Sequence, residues 1–139
     1  MKIAIKKVNK PIEIIETTKK YRGDCVKEYI NNTADYVHLN SFLSVAVDEE
    51  GLPKELPTNF LIKTKNTHFP IQKMVGTAVF TRIKPITGEG EIWDYEIDEL
   101  KDDDIKMIEI LTNEKYQEKL KESFNDYGKG YLVITPIKH

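Results

Sequence analysis

Cysteine is almost missing from this chain. Cys25 is the only one in 139 residues, so no internal disulfide can form and packing alone has to hold the fold. Histidine is equally scarce, and His38, His68 and His139 stand at no metal-like spacing from one another or from Cys25, which argues against zinc. No apolar run approaches the roughly 18 residues that cross a bilayer, and Met1-Lys2-Ile3-Ala4-Ile5-Lys6-Lys7 alternates like a strand instead of forming a signal-peptide core. The expectation is a cytoplasmic protein with no membrane partner. Phosphate-cradling glycines and a serine-nucleophile elbow are also lacking. Asp102-Asp103-Asp104, the densest acid cluster, lacks the interleaved spacing and glycine of a calcium loop. The sequence therefore calls for no metal, no cofactor and no catalytic residue.

What remains is an ordinary globular composition. With 40% hydrophobic and 32% charged residues, the chain carries far more core-forming side chains than disordered sequences do. Its length suits one globular domain over 1–139. The net charge of −2 hides a polarity: residues 1 to 22 hold seven Lys/Arg against two Glu, and residues 89 to 104 hold nine Asp/Glu against Lys101. Two solvated faces lying side by side explain this most simply, while Asp94, Glu96, Asp98, Asp102, Asp103 and Asp104 stand as a candidate interaction face. The patch Lys19, Lys20, Tyr21, Arg22 is too small to draw nucleic acid to an acidic chain.

Periodicity sets the elements. Strands are expected at 2–8 and 12–16, followed by a helix capped by Asp24 with Val26, Tyr29 and Ile30 on one side. Cys25 falls in its first turn, where the dipole would lower a thiol pKa, but no base accompanies it and a packed thiol is the simpler reading. Tyr36-Val37-His38-Leu39 and Leu43 to Val47 form a hairpin around Asn40-Ser41, with His38 a mid-strand structural residue. Asn59 to Ile62 is a short strand or a plug. Ile71 to Ile83 reads as one central strand covered on both faces, with Gly76 allowing close approach or a bulge. Pro85 to Gly90 is a turn cluster, after which Trp93, Tyr95 and Ile97 alternate with Asp94, Glu96 and Asp98 in an edge strand. Asp102-Asp103-Asp104 then open a helix with Ile105, Ile108 and Leu111 inward, a second helix carries Tyr116, Leu120 and Phe124, and Tyr131 to Thr135 closes the chain as a strand. This order predicts an α+β fold: a mainly antiparallel mixed sheet of five to seven strands, one helix near the N-terminus and two near the C-terminus.

The polar segment 48–59 lies between strand-like runs. Gly51 would permit a positive φ, the Leu-Pro pairs would stiffen the excursion, and Asn59 would bond the loop backbone. Glu49, Glu50 and Asn59 are the groups such a loop presents. His68 falls in a second loop expected to face solvent, and His139 is given no role.

Val47-Asp48-Glu49-Glu50-Gly51-Leu52-Pro53-Lys54-Glu55-Leu56-Pro57-Thr58-Asn59, Met74-Val75-Gly76-Thr77-Ala78-Val79 and the acidic lead-in Leu100 to Ile105 resemble segments of the domain-of-unknown-function family 3846, small proteins of bacteria, phages and mobile elements. The resemblance covers about the middle half of the chain and implies no activity. Three functions follow as expectations. The first is a non-enzymatic protein-interaction module of a phage or mobile element, whose partner is a host or element protein met by the loop or the acidic face. The second is a small-ligand or enzymatic domain with its site at the 48–59 loop, using Glu49 or Glu50 as acid/base beside His38 or His68. The third is a nucleic-acid-binding accessory protein.

Overall fold

The computed structural model describes residues 1–64 and 70–130, and the side chains as far as residue 123. The expected closing strand Tyr131 to Thr135, the packing of Phe124, and His68 and His139 lie outside these residues. The elements run β1 (Lys2–Lys6), β2 (Glu13–Glu16), α1 (Arg22–Val26), β3 (Ala34–His38), β4 (Leu43–Asp48), β5 (Thr58–Lys63), β6 (Ile71–Val75), β7 (Ala78–Gly88), β8 (Glu91–Asp98), α2 (Asp102–Leu111) and α3 (Glu114–Gly130). The fold is α+β, and every described strand pair is antiparallel. One six-stranded sheet has the order β2-β1-β7-β4-β3 with β8 also on β7, and β5 and β6 form a second, two-stranded sheet.

The run Ile71 to Ile83 is two strands in two sheets, which corrects the expectation of one. Gly76 breaks it at φ +71°, a left-handed conformation that glycine takes without penalty. The chain can therefore reverse from β6 into β7. The second half is the central strand: Ala78, Val79 and Phe80 are completely buried and bond to β1 on one side and β4 on the other.

Alternation along β7 and β4 builds two cores. Ala4, Leu43, Val45, Val47, Ala78 and Phe80 face the β5–β6 hairpin and α2, meeting Phe60, Ile62, Met74, Leu100 and Ile108. Phe60 stacks on Phe80 at 5.7 Å, a pairing worth roughly 0.5–1.5 kcal/mol beyond the area it buries. On the opposite face Ile3, Ile5, Ala46, Val79 and Ile97 pack against Cys25, Val26 and Ile30. The helix α1 is only five residues long, begins after Tyr21 rather than at Asp24, and has no side-chain cap. Its role is to seat Cys25 and Val26. Beyond the small sheet, Leu120 of α3 packs on Leu61 and Ile71, and Gln117 donates to Leu61 O (2.9 Å) and accepts from Leu61 N–H (2.7 Å). That side chain supplies the partner a further strand would otherwise give β5.

Two loops are tied down by single residues. Asn40 Oδ1 accepts the N–H groups of Phe42 and Leu43, both at 2.8 Å, an Asx turn that sets the β3–β4 hairpin. Asn113 Oδ1 accepts from Lys115 N–H at 2.9 Å and starts α3.

Pro85 to Gly88 continues β7 and is not a turn. The reversal is confined to Glu89 (φ +56°) and Gly90 (φ +80°), a two-residue turn whose positive φ values match the twist of the strands it joins. Because β4 pairs with β7 only as far as Arg82, the segments 84–88 and 91–95 bond to each other and form an arm off the sheet.

Candidate interaction surface

The acidic residues divide into two groups. Asp104 is buried, accepts from Arg82 Nη1 at 3.0 and 3.1 Å, and takes the Lys101 N–H at 2.8 Å. It is both the counter-ion of a core arginine and the N3 carboxylate that satisfies the first backbone donor of α2. Asp98 lies 3.8 Å from Arg82 Nε, and Glu96 lies 3.9 Å from Lys20 Nζ. Lys20 O also receives the Ile97 N–H at 2.8 Å, so the basic N-terminal segment runs alongside the acidic strand. Asp102 and Asp103 are exposed in the first turn of α2. Among the described residues, Asp94, Asp102 and Asp103 are the members of the candidate acidic face with no ion pair.

The 48–59 loop does not gather its polar groups. Asn59 donates to Lys6 O and to Gly76 O (2.9 Å) and accepts from Lys6 Nζ (3.1 Å). It thus clamps the end of β1 to the turn between the two sheets and leaves the loop backbone alone. Glu50 accepts from Asn32 at 3.0 Å, and Glu49 is exposed. Asp48 organises the excursion: its carboxylate takes the Glu50 N–H at 2.8 Å and Lys54 Nζ at 3.0 Å. Burial works against its charge, but those donors outweigh burial and hold the carboxyl below its usual value. Gly51 is required for packing, since an added Cβ would overlap Val75 Cγ2. It carries no positive φ, which corrects the reason the sequence suggested for it.

Cys25 is completely buried, and burial pushes its thiol up despite a hydrogen bond to Thr17. The short helix gives it no thiolate character. His38 pairs with Ser44 at the end of β3 and makes its side-chain contacts with α1 and β8: its Nε2 is 3.1 Å from Arg22 Nη1 and its ring meets Tyr95 edge-on at 5.3 Å. Arg22 is the centre of a cluster that the sequence did not disclose. Its guanidinium lies 3.8 Å from the centroid of Tyr36 and 4.3 Å from that of Tyr95, and Nη1 also donates to Ser44 Oγ at 3.2 Å. Burial lowers its pKa, partly offset by Tyr36, Tyr95 and Asp94. These contacts tie α1, β3 and β4 to the base of the β7–β8 arm.

The arm carries the largest and most exposed of the described apolar side chains, Trp93, together with Ile92, while Phe42 and Ile110 are exposed elsewhere. Trp93 is 69% exposed and Ile92 is 56% exposed. The register slips between Ile86↔Asp94 and Thr87↔Ile92, leaving Trp93 as an extra residue. Strict alternation would have placed it with Tyr95 and the buried Ile97, but the bulge re-aims it. Its ring lies over Gly88, where an added Cβ would be 3.0 Å from Cζ2 and 3.1 Å from Cε2. One ring face rests on backbone and the remainder points outward.

Among the described residues no three His, Cys, Asp or Glu side chains are grouped to hold a metal ion, and no helix is long and apolar enough to cross a membrane. Comparison with family models, curated proteins and solved structures finds no match to this chain.

Proposed function

We propose that the protein is a non-enzymatic interaction module that docks a partner protein with the β7–β8 arm. The observation that carries this reading is Trp93, exposed and yet seated over Gly88 near the end of a ribbon whose segments 84–88 and 91–95 pair with each other and, among the described residues, with no other strand. Tryptophan is over-represented among residues that dominate binding energy, and an anchor already held in place loses little freedom on binding. The Arg22 cluster stiffens the base of the arm. Asp48, Glu50 and Asn59 of the 48–59 loop are occupied by internal bonds and Glu49 is exposed, so the arm is favoured over that loop as the site.

The resemblance to family 3846 belongs to the same proposal and makes a host or element protein, met in the cytoplasm, the expected partner. In a pull-down from bacterial lysate, wild type recovers a stoichiometric partner, Trp93→Ala loses it, and Asp102→Asn/Asp103→Asn retains it. Failure to recover any partner that depends on Trp93 overturns the reading.

A further inference from the structure

We infer that the arm recognises a cationic segment of its partner, with a Lys or Arg side chain laid on the outward face of Trp93 and its charge met by Glu91 and Asp94. This inference rests on the arm being the docking element. Between Lys84 and Tyr95 the arm holds Glu89, Glu91 and Asp94 against Lys84. None of the three carboxylates has an ion pair among the described residues, whereas Glu96, Asp98 and Asp104, nearer the body, are all paired. The charge beside Trp93 thus has no ion-pair partner among the described residues; Asp94 acts on the Arg22 cation through space without pairing to it.

Three alternative occupants fit less well. A purely apolar partner covering Trp93 and Ile92 would strip water from adjacent carboxylates and leave them unpaired, which is costly. A second copy pairing arm to arm would bring like charges together. Strand addition along the ribbon is discouraged by Pro85, which lacks an N–H, by the bulge at Trp93 and by the edge charges. A basic segment removes the desolvation penalty and adds a cation–π contact, which is best on tryptophan. Recognition is therefore by side chains on the face of the ribbon.

Trp93 is the only tryptophan, so its fluorescence reports on the arm directly. The test selects a display library of short random peptides against wild type, then measures selected peptides by Trp93 fluorescence and, label-free, against Trp93→Ala, Gly88→Ala and Glu91→Gln/Asp94→Asn. The expected result is enrichment in Lys and Arg, a loss of about tenfold or more in affinity with Trp93→Ala, a weaker loss with the neutralised pair, and falling affinity as salt rises. Gly88→Ala keeps the ring but displaces it, and it weakens binding too. Peptides that need Trp93 but show no basic enrichment and no salt dependence overturn the cationic partner and leave the docking arm standing. Peptides indifferent to Trp93→Ala, no peptides at all, or peptides that bind only a dimer held through the arm, overturn both. Unchanged thermal melts of the variants keep loss of folding out of the comparison.

Discussion

Replacing Asp104 with alanine should unfold the protein far more readily than neutralising any other acid between 89 and 104. Arg82 is largely buried, its side chain 14% exposed, and among the described residues Asp104 is its hydrogen-bonded counter-ion; Nε is buried without a hydrogen bond and has Asp98 at 3.8 Å. Deleting one member of a buried pair costs roughly 3–5 kcal/mol, because the other charge stays behind. The variant also gives up the cap on Lys101 N–H, worth about 0.5–2 kcal/mol. Some water can follow the exposed part of Arg82, so the lower end applies and the sum is about 4 kcal/mol, a large share of the roughly 5–15 kcal/mol that holds a domain together. At about 4 °C per kcal/mol for a chain of this size, the melting temperature falls by about 15 °C. Urea unfolding followed by circular dichroism measures this directly. Asp104→Asn, which keeps an acceptor for the cap, loses less. Arg82→Met combined with Asp104→Leu recovers most of the loss, since an apolar pair of similar volume is often no worse than a buried ion pair. A single variant within about 1 kcal/mol of wild type, or a double variant no better than Asp104→Ala, refutes the assignment of Asp104 to the core.

Gln117→Ala strips both partners from the buried backbone of Leu61, and at about 1–3 kcal/mol per orphaned group it should cost roughly 2–6 kcal/mol, with hydrogen exchange at the Leu61 amide rising first; protection unchanged from wild type would refute the bonding. His38 supplies a pH dependence of definite sign: burial and the neighbouring Arg22 cation hold its pKa below the ordinary value near 6.5, so the unfolded chain takes up the proton before the folded one does. That contribution is fully present above about pH 6.5 and is lost as the pH falls through the folded value. Stability should decline between about pH 7 and pH 5 in wild type and decline less in His38→Gln, whose amide oxygen can still accept from Arg22; identical slopes would refute it.

The elements that alternation or an i, i+4 stripe defines were legible. The β3–β4 hairpin, the helices at Asp102 and Glu114, and the burial of Val79 and Phe80 all follow from side-chain period alone. Those that depend on one residue's backbone were not. Gly76 reads equally well as a bulge or a turn, and only its φ of +71° separates β6 from β7 and sends them to different sheets. Pro85 and Gly88 look like breakers, yet both sit in β7, where among the described residues no further ladder flanks the arm's strands, the setting in which a sheet tolerates proline. The acid stretch was legible as charge and opaque as geometry: Asp103 and Asp104 are adjacent in sequence, but one faces solvent and the other a buried guanidinium.

Trp93 shows why the candidate site was the least legible part. The pattern Trp93, Tyr95, Ile97 assigns all three to one buried face, and a slip of one residue reverses such an assignment completely. Nothing in the residues near Trp93 announces the slip; it emerges from the pairing of Ile86 with Asp94 and of Thr87 with Ile92, set by the turn at Glu89-Gly90 at one end and the Arg82↔Asp98 pair at the other. A tryptophan that the local pattern would bury, re-aimed outward by a bulge and seated on the one residue of the ribbon's end strand that has no side chain to displace it, departs from the rule the rest of the sheet obeys. Departures of that kind tend to collect where a sequence answers to something besides its own stability, which is the physical reason for placing recognition at the arm and not at the acid-rich helix start beside it.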